Sequence, residues 1–179
     1  MDREARLAWL LDHHRRPRHR GAMAHADASI PGGNPGCGDL ITMHLQAEAG
    51  GNRVAAVSWE GTGCTLSQAA ASILAERINK QRPAFPDVLA YSYEEMLDLI
   101  GRDVAAARPR CATLALGTLK AAVKTVEMNR LLRAAGHSDD AIRALRRAIA
   151  AQAGDTGLVL GEGAEEASNA TSGRAMFPP

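Results

Sequence analysis

The hydrophobic pattern of this chain changes its period at residues 61–63, Gly-Thr-Gly. Before that point, residues 40–45 and 53–59 alternate apolar and polar side chains, and residues 50–52, Gly-Gly-Asn, separate them. Alternation on both sides of a glycine-rich turn is typical of a β-hairpin. After that point, apolar residues recur at helical spacing. We therefore predict two antiparallel strands followed by helices.

Five helices are predicted from this periodicity and from residues that are typical of helix ends. Ser92 and Glu95 have capping-box spacing, and Pro109 is typical of a first helical turn. The helices cover residues 2–14, about 65–80, 92–101, 109 to about 131, and 138 onward. Their predicted inward-facing residues include Leu7, Leu10 and Leu11 in the first helix, Leu114, Leu116, Leu119, Val123, Val126 and Leu131 in the fourth, and Ile142, Leu145 and Ile149 in the fifth. Residues 15–36 mix arginine, histidine, glycine and proline, so we predict a loop there with at most one short extended piece.

The composition favours a helix-rich protein with a core of small side chains. The 179 residues include 35 alanines and six aromatic residues, so the core is expected to consist of alanine and aliphatic side chains. The 21 basic residues nearly balance the 20 acidic ones, which argues against a protein that coats nucleic acid or an anionic membrane. No apolar run approaches the roughly 18 residues of a membrane span. We expect a cytoplasmic protein whose partners include neither nucleic acid nor a membrane.

Three cysteines, Cys37, Cys64 and Cys111, are the strongest candidates for chemistry. An odd number at wide spacing in a chain predicted to be cytoplasmic does not indicate a disulfide framework, so thiolate chemistry or metal ligation is expected. Cys37 lies in residues 34–39 (NPGCGD), and in an extended segment its side chain and that of Asp39 would point to the same side. A tight turn with an incidental cysteine and a solvated carboxylate is the alternative interpretation.

Cys64 and Cys111 are each predicted at the start of a helix, where the partial positive charge of the helix end stabilises a thiolate. If both converge with Cys37 and Asp39, the group offers three sulfurs and one oxygen. Four such ligands suit tetrahedral zinc and also suit a [2Fe-2S] cluster. The helix ends and the arginines beside Cys111 would then offset the negative charge. The alternative is that these thiols are inert parts of the core.

The spacing of the cysteines, arginines and glycines gives little support to other reaction classes. Neither Cys64 nor Cys111 has an arginine six residues later, as a phosphatase loop requires, and no phosphate-binding loop ending in Gly-Lys-Ser/Thr occurs. Residues 61–63 lack the third glycine of a dinucleotide fingerprint. A Cys/His hydrolase stays open only because six histidines are available.

Three strings, in this order along the chain, resemble the IscU/NifU/SufU family of iron-sulfur cluster assembly proteins. They are residues 34–39 (NPGCGD), 60–67 (EGTGCTLS) and 108–114 (RPRCATL), and the resemblance extends over about residues 5–127. It implies an α+β fold in which a small antiparallel sheet of about three strands has helices packed on one side and a metal site at one end. The third strand is implied around residues 28–30.

The resemblance also implies the site and its partners. By position, Cys37, Asp39, Cys64 and Cys111 match the ligand set of the family. Members receive persulfide sulfur from a PLP-dependent cysteine desulfurase. They either build a cluster or pass the sulfur to downstream cluster-assembly or apo-acceptor proteins.

The subtype implied by the resemblance is mixed. Arg108, three residues before Cys111, resembles SufU, the zinc-containing sulfurtransferase type, in which this arginine belongs to the desulfurase-linked site. Arg110 stands where IscU proteins carry a histidine. The interval of 46 residues between Cys64 and Cys111 is closer to IscU.

We therefore predict a SufU-like protein that binds zinc through Cys37, Asp39, Cys64 and Cys111 and accepts sulfur on Cys37. The IscU resemblance would favour Cys111 as the acceptor. Two alternatives are an IscU-type scaffold that assembles a transient [2Fe-2S] cluster and a structural zinc site in an interaction module.

The domain organisation follows from the same patterns. Residues 1–135 are predicted to form the IscU/SufU-like domain, and residues 136–153 an additional C-terminal helix. Residues 154–179 show no sustained periodicity and are predicted to be a flexible tail.

Overall fold

The chain forms a three-stranded antiparallel sheet with helices packed on it, in a computed structural model that describes residues 1–154. The strands are β1 (Ala28–Asn34), β2 (Asp39–Ala47) and β3 (Val54–Thr62), in the spatial order β1-β2-β3. This confirms the predicted α+β fold class and the predicted hairpin. The predicted tail, residues 154–179, lies outside the described residues apart from Gly154.

Seven helices follow or precede the strands within the described residues. They are α1 (Arg3–Arg15), α2 (Thr65–Gln81), α3 (Phe85–Ala90), α4 (Tyr93–Ile100), α5 (Arg102–Ala105), α6 (Pro109–Ala134) and α7 (Asp139–Gly154). The five predicted helices are confirmed to within a few residues. The capping box of α4 is present as predicted, because Ser92 accepts the N–H of Glu95 and the Glu95 carboxylate accepts the N–H of Ser92. The short helices α3 and α5 were not expected.

The third strand implied around residues 28–30 is confirmed, and it is longer than the short extended piece expected within residues 15–36, because β1 continues to Asn34 through Pro31 and two glycines. β1 is an edge strand, where a proline without an N–H is tolerated. A Cβ atom at Gly32 would lie 1.9 Å from Oγ1 of Thr118 in α6. The glycine therefore lets the helix lie directly on the strand, and this packing keeps the segment extended.

The core lies between one face of the sheet and the helices α2 and α6. The buried apolar residues of the sheet are Ala28, Ile30, Ile41, Met43, Leu45, Val54, Val57 and Trp59. The helices contribute many alanines, among them Ala69, Ala70, Ala71, Ala75, Ala112, Ala115, Ala121 and Ala122. The expected core of small and aliphatic side chains is confirmed. The alanines allow the helices to approach the sheet closely, so the strand and helix ends meet at one end of the sheet.

Five residues predicted to face inward are exposed, namely Leu7, Leu11, Leu131, Leu145 and Ile149. Leu7 and Leu11 of α1 are more than a third exposed, because α1 packs mainly on α2 and buries only a narrow strip that includes Leu10 and His13. Leu131 is 65% exposed. A helix of 26 residues is about 39 Å long, so the last turns of α6 extend past nine-residue strands of about 30 Å.

In α7, Ile142 is buried, whereas Leu145 and Ile149 are about half exposed. The division into a domain of residues 1–135 and an added helix stays a prediction. None of the helices described is long and apolar enough to span a membrane.

Candidate metal centre

The sulfur atoms of Cys37 and Cys111 lie 3.4 Å apart, although 74 residues separate them in the chain. Cys37 is exposed and lies in the turn between β1 and β2, where Gly38 adopts a φ of 68°. Cys111 is fully buried in the first turn of α6, which begins at Pro109. The hairpin turn and the helix start therefore meet at one end of the sheet.

Asp39 is the first residue of β2 and is fully buried. Its Oδ1 accepts the backbone N–H of Cys64 at 2.7 Å, and its Oδ2 lies 3.8 Å from the Cys64 sulfur. One ligand atom each from Cys37, Asp39 and Cys111 lies within 4.8 Å of the other two. The structure thus brings these three predicted residues together, and Cys64 joins them through the carboxylate.

Cys64 is half-buried and is the N-cap of α2, as its predicted position at a helix start requires. Its sulfur accepts the backbone N–H of Ser67 at 3.4 Å. An N–H donated from the first turn of a helix stabilises negative charge on this sulfur.

The segment before Cys64 must contain glycine for a steric reason. A Cβ at Gly63 would lie 2.6 Å from both Asp39 Oδ1 and Ser67 Oγ, and a Cβ at Gly61 would lie 2.0 Å from the Leu40 carbonyl oxygen. Only glycine at these positions allows the strand end to approach the carboxylate and then turn into α2.

Cys37 does not reach the site in the way the sequence suggested. We expected an extended segment that points Cys37 and Asp39 to the same side, but residues 35–38 form a turn. The Cys37 N–H donates to the Asn34 carbonyl at 3.0 Å, which closes this turn. The two side chains converge because the turn folds back over the strand end.

Burial raises the pKa of the Cys111 thiol well above its usual range, and the neighbouring Asp39 and Cys37 add to this shift. Hydrogen bonds from the Cys111 thiol to these two side chains favour its protonated form. A cation bound at this point would remove the penalty, because metal ligation stabilises the deprotonated sulfur.

The spacing of the donor atoms of Cys37, Asp39 and Cys111 fits a metal ion, whereas the Cys64 sulfur lies outside the group whose ligand atoms are all within 4.8 Å of one another. With Zn–S bonds of about 2.3 Å, two sulfurs of a tetrahedral zinc site lie about 3.8 Å apart, and a sulfur and an oxygen about 3.5 Å apart. The measured separations are 3.4 Å between Cys37 and Cys111 and 3.8 Å between Cys64 and Asp39. Three sulfurs and a carboxylate suit zinc, and thiolate-rich sets also hold iron-sulfur clusters.

The arginines beside Cys111 do not contact the sulfurs through any bond in the described part of the chain. The Arg108 side chain is exposed, and its carbonyl accepts the N–H of Cys111 at 3.1 Å. Arg110 is half-buried. The expected role of these charges in offsetting the site is therefore at most long-range, and the role of Arg108 stays a prediction.

Asn34 is a site residue that the sequence does not single out. It is 5% exposed, and its Nδ2 donates to the Cys111 sulfur at 3.4 Å. In the sequence, Asn34 is marked only by the Pro-Gly that follows it. Asparagine before Pro-Gly is common in turns, so this pattern does not by itself indicate a contact with a cysteine.

The chain belongs to the family described as the NifU-like N terminal domain, whose model matches residues 8–132. It is 27% identical over 133 residues to the iron-sulfur cluster assembly scaffold protein IscU of Streptococcus pyogenes serotype M1, covering 66% of this chain and 82% of that protein. It is 28% identical over 135 residues to the zinc-dependent sulfurtransferase SufU of Bacillus subtilis, covering 66% of this chain and 88% of that protein.

A solved NifU-like protein (N-terminal) from Brucella abortus has the same fold. The TM-score is 0.56 at 17% identity, and the match covers 67% of this chain and 92% of that chain. The chain is therefore a member of the IscU/SufU group of iron-sulfur cluster assembly proteins, and the family resemblance noted from the sequence is confirmed.

Proposed function

We propose that this protein accepts sulfane sulfur from a PLP-dependent cysteine desulfurase on Cys37, at a zinc site formed by Cys37, Asp39, Cys64 and Cys111. The difference in exposure between the two neighbouring cysteines carries the proposal. Cys37 is exposed on a turn, whereas Cys111 is fully buried on a helix. An incoming protein-bound persulfide can reach only the exposed sulfur without unfolding the helix start.

The transfer is a thiol exchange. The Cys37 thiolate attacks the outer sulfur of the desulfurase persulfide, forming a new S–S bond on Cys37. The S–S bond of the desulfurase breaks, and its electron pair stays on the desulfurase cysteine as a thiolate. The reaction consumes no oxidant or reductant, because one S–S bond forms as another breaks and the transferred sulfur keeps its oxidation state.

Each ligand has a separate task in this scheme. Zinc, when bound, keeps the sulfurs deprotonated near neutral pH. The carboxylate of Asp39 is a hard oxygen ligand, so it binds a soft metal site more weakly than a thiolate does. It is therefore replaced by another ligand more easily than a fourth thiolate would be. A replacement ligand from the desulfurase would free Cys37. The exposed Arg108, beside the start of α6, would contact that partner.

Sulfur mapping tests the proposal. The protein is incubated with a cysteine desulfurase and L-cysteine, alkylated, digested and analysed by mass spectrometry. We expect one added sulfur on Cys37, and none in the Cys37→Ser variant. Sulfur only on Cys64 would refute the scheme, and sulfur on Cys111 in the native protein would favour an IscU-type route.

Metal analysis after purification without oxygen separates zinc from a cluster. Stoichiometric zinc with sulfur on Cys37 supports the sulfurtransferase. Iron and acid-labile sulfide with a visible absorption band would support a scaffold that assembles a [2Fe-2S] cluster. Zinc without any sulfur uptake would leave a structural zinc site.

Downstream cluster-assembly or apo-acceptor proteins would receive the sulfur from Cys37. A cytoplasmic location of the protein stays a prediction.

A further inference from the structure

We infer that Asn34 is a positioning residue that holds the Cys111 sulfur in the site and thereby leaves Cys37 as the sulfur acceptor. This inference rests on the proposed function. It assigns a role to a residue that neither ligates the metal nor reacts with sulfur.

Asn34 contacts both cysteines by different groups. Its side-chain Nδ2 donates to the Cys111 sulfur at 3.4 Å, and its carbonyl accepts the Cys37 N–H at 3.0 Å. It is the last residue of β1 and pairs with Asp39, the first residue of β2. One residue therefore connects the strand end, the turn that carries Cys37 and the helix that carries Cys111.

The amide group of Asn34 depends on this sulfur. Within the described part of the chain, the bond to Cys111 is the hydrogen bond that its side chain makes, and the residue is 5% exposed. A buried amide without a partner is costly, so the bond constrains both groups. A donor aimed at a sulfur is strengthened when that sulfur is a thiolate.

The two sulfurs consequently differ in freedom as well as exposure. Cys111 is held by a hydrogen bond and by the first turn of a 26-residue helix. Cys37 lies on a four-residue turn and is exposed. The hydrogen bond and the helix together fix the Cys111 sulfur in place, so Cys111 is the less accessible nucleophile and the permanent ligand.

Three variants test this role. Asn34→Ala removes the amide, and Asn34→Leu removes it while keeping the number and branching of the side-chain heavy atoms. Asn79→Ala is the control, because its amide bridges α2 and β3 through Val57 and Ala75 and contacts no cysteine. Circular dichroism and thermal melting report the fold of each variant.

The first readout uses metal-free, reduced protein, so it requires neither zinc nor sulfur uptake. Iodoacetamide is added under native conditions, and the alkylation rates of Cys37 and Cys111 are followed by mass spectrometry. Both Asn34 variants are expected to raise the alkylation rate of Cys111 relative to that of Cys37 roughly tenfold. In a separate chelator competition, both variants are expected to bind zinc more weakly by a similar factor. Asn79→Ala is expected to leave the rate ratio unchanged.

The second readout is the sulfur map after incubation with desulfurase and L-cysteine. The Asn34 variants are expected to carry part of the sulfur on Cys111. An Asn34→Leu protein with the native alkylation ratio and the native sulfur map would overturn the inference, since the amide donor would then not be needed. If the native protein takes up no sulfur, the proposed function fails, whereas the alkylation ratio still decides whether Asn34 positions Cys111.

Discussion

Asp39 at the start of β2 accepts the backbone N–H of Cys64 at the start of α2, with a separation of 2.7 Å between Oδ1 and N. The other carboxylate oxygen, Oδ2, lies 3.8 Å from the Cys64 sulfur. The same buried side chain therefore has a structural task on one oxygen and faces the thiols with the other. The two tasks can be separated by substitution.

Asp39→Asn keeps an oxygen that can accept the Cys64 N–H but removes the negative charge, whereas Asp39→Ala removes both. In metal-free protein, we expect Asp39→Ala to lose about 1–3 kcal/mol of unfolding free energy, because a part-buried N–H loses its acceptor. Asp39→Asn should lose clearly less. Both variants should bind zinc more weakly. Urea denaturation and a chelator competition measure these quantities.

The sulfur map of folded Asp39→Asn then distinguishes a handling site from a structural one. Altered sulfur transfer in a folded protein fits the proposed function. Native sulfur uptake, with only a lowered melting temperature of the zinc-loaded protein, would contradict a role of Asp39 in ligand exchange.

Gly63→Ala is predicted to distort the site from a position that carries no chemistry. The new Cβ would lie 2.6 Å from both Asp39 Oδ1 and Ser67 Oγ. Overpacking of this kind costs about 1–3 kcal/mol and should displace the carboxylate, so metal affinity should fall as well. Gly36→Ala is the matched control, because its Cβ would meet only Asn34 Oδ1, at an ordinary 3.6 Å. Equal stability and zinc affinity in the two variants would refute the prediction.

Gly32→Ala tests the contact between β1 and α6. The added Cβ would lie 1.9 Å from Thr118 Oγ1, so we expect a loss of about 1–3 kcal/mol in urea denaturation. Thr118→Ala removes that oxygen, and the double variant should recover part of the loss. Strictly additive effects in this double-mutant cycle would show that the two residues do not interact.

The pH dependence of stability is predicted from His13, which is buried between α1 and α2. Its Nδ1 lies 2.9 Å from Ser72 Oγ, and its Nε2 lies 3.7 Å from Glu76. Burial lowers the pKa of His13 below its usual 6.5, and the charge of Arg18 adds to this effect, against the opposing charge of Glu76. The folded protein therefore holds this imidazole neutral at a pH where the unfolded chain protonates it.

The contribution of His13 to stability is consequently present above about pH 6.5 and is lost progressively as the pH falls below that value. His13→Asn should show a smaller drop in unfolding free energy between about pH 7.5 and pH 5.5 than the native protein. His25→Asn, at an exposed position, serves as the control and should behave as the native protein does. An unchanged pH dependence in His13→Asn would contradict the assignment.

Helix positions were predictable because their signals are local. The Ser92 and Glu95 cap, the proline at the start of α6 and the change of period after residue 63 each act within a few residues of the chain. The edge strand β1 had no such signal over Pro31 and Gly32, because its extended form depends on packing against Thr118 of α6. The exposure of Leu7, Leu11 and Leu131 likewise depends on which helices have a neighbour.

By itself, the sequence determined which residues are candidates for binding a metal: three cysteines in glycine-rich or helix-start contexts and an acid two residues from one of them. It also determined the hairpin and the five longer helices. Only the tertiary structure decided that Cys111 is buried and Cys37 exposed, that Asp39 holds the N–H of Cys64, and that Asn34 donates to Cys111. The physical reason is that those relationships join residues 25 to 77 positions apart. Their distances are set by how closely α2 and α6 pack on the sheet, and no local pattern records that packing.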